Sequence, residues 1–284
     1  MKGHESQIAK ARARREAERR GRRDRASSRT VDPPQATPRR PARREGRRTV
    51  KQDDERWSAV EQGGDQPFGR ILPGWWPRWD GEIETLVIVA GGPSAGEVDF
   101  SGIQGQKQVK VVVINNSWRL HPVADILYAC DFKWWEVSEG GKGFGGLKLS
   151  VDGHCSRHPE WGVRKVGLNK ADDRLELVKF GTVGWAGNGG FHCLNLGVQF
   201  AVHFGFRKIV LVGYDMTLDR GVHWHGKHGN GMNNPTPRNV ERWRRCIDAC
   251  AEIISAMGIK VINTSSFSAL QNYPKVPFAE AVKC

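Results

Sequence analysis

Residues 223–228 read His-Trp-His-Gly-Lys-His, which places three of the chain's nine histidines within six positions. Histidine is the side chain whose ordinary titration falls near neutral pH, so such a group can move a proton or contact a phosphate. As neutral imidazoles, His223, His225 and His228 can instead hold a metal ion. They can also cap and hydrogen-bond within their own Gly- and Asn-rich loop. A second stretch is Thr85–Ser94, Thr-Leu-Val-Ile-Val-Ala-Gly-Gly-Pro-Ser. Gly91 and Gly92 leave no side chain between backbone and ligand, so N–H groups there can face an anion. A plain strand-to-loop turn explains the same two glycines. A third is Gly181–Gly190, which runs straight into a helical pattern. A helix N-terminus opening from a glycine loop suits phosphate or carboxylate.

The elements that must position these groups follow from hydrophobic pattern. Thr85–Ala90 is an unbroken apolar run ended by a turn signal, the mark of a strand buried on both faces of a helix-covered parallel sheet. Val109–Asn115 and Asp125–Asp131 read as the second and third strands. Ser94 lies just past the first strand, Asn115 ends the second and Asp131 the third. Ligands of such sheets sit beyond the carboxyl ends of the strands, where these polar residues fall. Phe191, Leu194, Val198, Ala201 and Val202 share one helical face after the glycine loop, and Gly205 is placed to stop that helix. Lys208–Gly213 is the next strand and runs into Tyr214-Asp215-Met216. Val240–Met257 predicts an amphipathic helix burying Trp243, Ile247, Cys250, Ile254 and Met257, closed by Gly258. Ile259–Asn263 is the last strand. Lys133–Gly167, rich in Gly, Trp and His, predicts short strands or an insertion over the sheet. Alternating strands and helices specify an α/β fold, a Rossmann-like doubly wound and mostly parallel sheet over residues 84–284.

The net charge of +13 belongs to one end of the chain. Residues 1–50 hold 17 Lys or Arg against 6 Asp or Glu, a net of +11, and the other 234 residues hold 27 against 25, a net of +2. The domain's own charge therefore gives no reason to read it as a nucleic-acid binder. Residues 1–50 predict a disordered Arg-rich tail that binds polyanions weakly, through phosphate neutralisation without sequence preference. Residues 51–83 read as a linker ending in Trp75, Trp76 and Trp79, expected to cover a sheet edge or face. The basic N-terminus is not followed by an apolar core and no apolar run is long enough to span a bilayer, so a cytoplasmic chain without membrane contact is expected. The six cysteines show no framework spacing and read as buried free thiols.

The His-x-His-x-x-His spacing is similar to the metal motif of the metallo-β-lactamase fold, but that motif carries an aspartate where this chain has Lys227. The order of the pieces resembles another group more closely: the bacterial CMP-sialic-acid-dependent sialyltransferases with a Rossmann-like domain and their relatives among flagellar motility accessory factors. It also resembles tailed-phage and prophage proteins sometimes labelled "norphogenetic". The matching residues are Ala90-Gly91-Gly92-Pro93-Ser94-Ala95, Asn115, Asn188-Gly189-Gly190, Leu211-Val212-Gly213-Tyr214-Asp215, the loop His223–His228, and Thr264-Ser265-Ser266 with Ser268 and Leu270. The departures are Ala90 and Ala95 in the first loop and Asn188 where the group has serine.

The resemblance implies a nucleotide-dependent, glycosyltransferase-like enzyme of phage or prophage origin that needs no metal. Gly91, Gly92, Pro93 and Ser94 would then cradle a nucleotide or nucleotide-sugar donor. Asn115 and Asp131 would bind ribose or base, and Asn188, Gly189 and Gly190 the donor's carboxylate or phosphate. Ser266 would join these cofactor-binding residues. One of His223, His225 and His228 would be the general base toward an acceptor, with Asp215 orienting the loop. Three alternatives stay open: a pyrophosphokinase-type transferase of the same fold, a non-catalytic DNA-associated phage protein, and a metal-dependent hydrolase built on the histidine loop.

Overall fold

The computed structural model describes residues 71–283. The expectations for the Arg-rich tail and for residues 51–70 of the linker lie outside them, as does Cys284.

Among the described residues nine strands alternate with helices. Strands β1 (Thr85–Val89), β2 (Val109–Ile114), β3 (Ile126–Tyr128), β4 (Leu147–Ser150), β5 (Val163–Lys165), β8 (Lys208–Val212) and β9 (Lys260–Asn263) form a seven-stranded sheet in the order β5-β4-β3-β2-β1-β8-β9. Every pairing in it is parallel. Strands β6 (Gly167–Asn169) and β7 (Thr182–Gly184) pair separately. The main helices are α1 (Phe132–Val137), α2 (Gly189–Phe204), α3 (Pro237–Ala256) and α4 (Phe278–Ala281). The expected α/β doubly wound architecture is therefore the observed one.

Chirality explains why two cores form. From β1 the chain steps outward through β2, β3, β4 and β5, and later returns to step the other way through β8 and β9. Parallel crossovers are right-handed, so opposite stepping directions put their connections on opposite faces. The period of two along each strand feeds both layers. Leu86 and Ile88 of β1 pack with Phe191, Leu194 and Val198 of α2 and with Ile247 and Ile254 of α3. Val87 and Val89 face the other layer, with Phe100, Trp134, Trp135 and Phe278. Buried on both sides, β1 has no polar alternation to show in sequence. The order of stepping reverses between β1 and β8, and that is the switch point.

Helix α2 is anchored by more than apolar area. Two of its amides are fully buried and tie it to β7 and the preceding loop. Asn195 Oδ1 accepts from the amides of Glu176 (2.9 Å) and Gly184 (3.0 Å). Gln199 accepts from Gly181 N at 2.9 Å and donates to the carbonyls of Glu176 and Thr182, each at 2.7 Å. Removing either amide strands several buried backbone groups, at about 1–3 kcal/mol for each. Gly205, in the left-handed region at φ 83°, ends the helix as expected.

Some boundaries differ from the sequence reading. Helix α3 starts three residues earlier than Val240, because Thr236 caps it through Asn239 N and Pro237 fills the first turn. Residues 133–167 do form short strands, but β4 and β5 extend the sheet edge by parallel pairing and do not lie over the sheet. Trp75 and Trp76 belong to the core itself. Trp76 stacks on Phe180 and meets Phe200 edge-on, and Trp75 Nε1 donates to Lys165 O at 2.9 Å. The cysteines in the described residues are free, and most are buried. No helix among the described residues is long and apolar enough to cross a membrane.

Candidate functional site

A cleft of about 380 Å³ opens at the switch point, beyond the carboxyl ends of β1, β2, β3 and β8. Gly91, Gly92, Asn115, Asp131, Asn188, Gly189, Gly190, Asp215 and all three loop histidines line it. Residues expected at a site from stretches more than a hundred positions apart thus share one cavity. Pro93, Ser94 and Ser266 do not line it; Ser266 is exposed elsewhere and Ser94 is buried beneath the loop.

The β1 loop does a different job from the one its glycines suggest. Gly92 N donates to Gly213 O at 3.0 Å, and Ser94 N donates to Asp215 Oδ2 at 2.9 Å. Ser94 Oγ donates to Asp215 Oδ1. The amides of Gly92 and Ser94 are therefore spent inside the protein and do not face an anion. A Cβ at Gly92 would meet Gly213 O and stand 2.6 Å from Asp215 Oδ2, so glycine is required here for close approach of the β1 and β8 ends. Asp215, buried at 2% exposure, is the clamp between them, its carboxylate taken up by Ser94. Gly91 does face the cluster: its Cβ position lies 3.1 Å from His223 Nδ1.

Two non-glycine residues of the cleft hold left-handed backbone, Asn115 at φ 51° and Met216 at φ 49°. Asparagine tolerates that region, whereas methionine does so at a cost of about 1 kcal/mol or more. The strain sits directly after the Asp215 clamp. At the helix end, Asn188 Oδ1 accepts from Phe191 N at 3.0 Å, and the amides of Gly189 and Gly190 precede the capped one. Glycine at 189 also answers a packing need, since a Cβ would lie 2.9 Å from Ile114 Cγ2.

The histidine loop is held by main-chain contacts that leave its rings pointing inward. Trp224 N donates to Gly91 O at 3.0 Å, which pins the loop to the β1 end. Gly226 N returns to His223 O at 3.0 Å, with Gly226 at φ 84° making the turn. Asn234 accepts from His228 N at 2.8 Å and donates to His228 O at 3.1 Å. One nitrogen from each ring lies within 4.8 Å of the others. His225 Nε2 faces Asn116 Nδ2 at 3.1 Å, and Asn116 Oδ1 accepts from Trp134 Nε1 at 3.0 Å. His223 Nε2 and His228 Nδ1 are shielded from solvent and have no hydrogen-bond partner.

Burial depresses all three, and neighbouring imidazoles depress His223 and His225 further. Burial, then His228 and His225, push His223 down to about 4. Burial and then His228 lower His225; burial lowers His228, with Asp131 opposing. At neutral pH the cluster is therefore uncharged. Asp131 is open to solvent, yet the crowding of the cleft and the Asp152 carboxylate hold its pKa above the ordinary value. It heads α1 without capping it, so its carboxylate stays available to a ligand. Asn116, Lys133, Trp134, Met216 and Asn234 also belong to the site without being assigned to it from sequence, and Trp243, expected in the core, is half-buried in the cleft lining. Asn116, next to Asn115 at a strand end, carried the one signal that pointed there.

No family model matches the chain, and no curated protein matches it. A solved structure does. The chain is similar to the MAf glycosyltransferase from Magnetospirillum magneticum AMB-1, at 16% identity and a TM-score of 0.45. The match covers 71% of this chain and 35% of that one, so it spans about a third of that protein's length.

Proposed function

We propose that this protein is a nucleotide-dependent transferase of the glycosyltransferase kind, taking a nucleotide or nucleotide-sugar donor into the switch-point cleft. The observation that carries the reading is convergence. Polar ends of β2 and β3, the start of α2 and three inward-facing imidazoles meet in one cavity of about 380 Å³, within the usual size for a small-molecule site. Asn115 and Asp131 hydrogen-bond the nucleoside. The Gly189 and Gly190 amides, at the positive end of α2, receive the donor's anionic group. The proton of the acceptor hydroxyl passes to an imidazole of His223, His225 or His228, or to Asp131 beside His228 where the imidazoles are otherwise engaged. A neutral base positioned for that transfer contributes roughly 10²–10⁴-fold in rate.

Neither the origin in a phage nor DNA binding by the tail enters this reading. The test is a thermal-shift screen of the full chain against nucleoside mono-, di- and triphosphates and nucleotide sugars. The expected result is stabilisation by one nucleotide class, lost in Asn115→Leu and Asp131→Leu. A response to ATP with release of AMP, and to no sugar nucleotide, would assign pyrophosphoryl transfer instead. No response across the set would overturn the proposal.

A further inference from the structure

We propose that His223, His225 and His228 form a three-imidazole site for one divalent transition-metal ion of the zinc class, with a fourth position open to the cleft. Four observations support it. The three ring nitrogens already lie within 4.8 Å of one another, and among the described residues no other group of His, Cys, Asp and Glu does so. A tetrahedral ion with Zn–N bonds of about 2.0–2.1 Å needs them roughly 3.3 Å apart, a closure that small ring rotations supply. His223 Nε2 and His228 Nδ1 are buried ring nitrogens without partners, and such atoms in a folded protein call for an explanation.

The third nitrogen is equally prepared. Trp134 Nε1 holds Asn116 Oδ1, so the Asn116 amide turns its NH₂ toward His225 Nε2 and that nitrogen presents its lone pair. An arriving ion replaces the Asn116 hydrogen bond at that lone pair. The surrounding contacts are those that orient metal-binding histidines: Gly91, just past β1, stands against the Nδ1 edge of His223, away from Nε2, and Asn234 grips the His228 backbone on both sides.

The fourth observation is the charge of the cleft. Its lining carries the carboxylates of Asp131 and Asp215 against Lys133, whose ammonium already pairs with Glu136 at 2.6 Å. The amides of Gly92 and Ser94 are spent on Gly213 and Asp215. Beyond the Gly189 and Gly190 amides and the Arg119 charge felt at His225, a donor's phosphates find no unpaired cation in the lining, and a divalent ion on the imidazoles supplies one. This last role rests on the transferase reading; the site itself does not. With the ion bound the three lone pairs are occupied, and Asp131 becomes the proton acceptor of that reading.

The experiment uses the untagged full chain. Metal content is measured after exhaustive dialysis, and the metal-free protein is titrated with Co²⁺ while the visible ligand-field bands are followed. The expected result is one equivalent of cobalt with tetrahedral bands, weakened more than about tenfold in His225→Ala and in His228→Ala. His154→Ala, an exposed ring outside the cleft lining, should keep it. Binding below stoichiometry without tetrahedral bands, or binding indifferent to His225→Ala, overturns the site. Thermal unfolding of each variant separates loss of the site from loss of the fold. A nucleotide-induced shift in protein that binds no cobalt would sink the ion and leave the transferase standing; cobalt bound without any nucleotide response would do the reverse.

Discussion

On the β1–β8 side of the cleft the polar groups are answered within the protein. Asp215 takes the Ser94 amide and hydroxyl, and Gly213 O takes Gly92 N. In the histidine loop, His223 Nε2 and His228 Nδ1 are buried and unanswered. The two sides look alike in sequence, each a glycine-bearing loop after a strand. They differ in whether the protein or a ligand is left to complete them. A wall that satisfies itself gives rigidity, and a wall that does not is where binding free energy can be gained.

That contrast breaks most visibly at Gly92. Gly92→Ala should lower stability by about 3 kcal/mol or more, since the new methyl has only Gly213 O and Asp215 to displace; chemical denaturation measures it, and a loss below about 1 kcal/mol would mean the loop is free to move. Asp215→Ala comes next, with an expected loss of about 2–3 kcal/mol from the stranded Ser94 amide. If Asp215 acted on a ligand instead, this variant would keep its stability and lose binding.

Acid tests the other side. His192 and His223 are both held down to about 4, His192 chiefly by burial. The unfolded chain binds their protons from about pH 6.5 downward while the folded chain does not, so stability is complete above about 6.5 and falls as pH drops toward 4. His192, at 2% exposure, accounts for roughly 3 kcal/mol of that fall. Urea unfolding at a series of pH values should show the acid limb, made shallower by His223→Ala; an unchanged slope would place His223 in solvent. The smallest expected effect is that of His228→Ala on stability at neutral pH, within about 1 kcal/mol, because the deleted ring leaves no partner unpaired.

Much of this was legible in the chain because the signals were local. The apolar runs from Thr85, Val109 and Lys208 are strands since burial on both faces leaves no other pattern, and Gly205 stops α2 where a left-handed residue is needed. Asn115, Asp131 and Asn188 were readable as cleft residues because strand ends and helix starts converge in any doubly wound sheet. The purpose of Gly92 was not readable. A glycine before a ligand and a glycine before another backbone look the same until the opposing group, here Gly213 O from 121 positions on in the chain, is in view. Asn116 and Trp134 escaped for the same reason: their value lies in a long-range chain of hydrogen bonds that ends on His225. Thr236-Pro237, by contrast, was a local start signal that the apolar pattern of α3 overshadowed.

The imidazole resonances of the full chain, followed by NMR during titration with the stabilising nucleotide, test the central claim most directly. The account predicts that signals of His223, His225 and His228 move with saturation while those of the exposed His154 and the half-buried His158, both outside the cleft lining, stay in place. Movement confined to His154 and His158, or none at all in the cluster at saturating nucleotide, would contradict it.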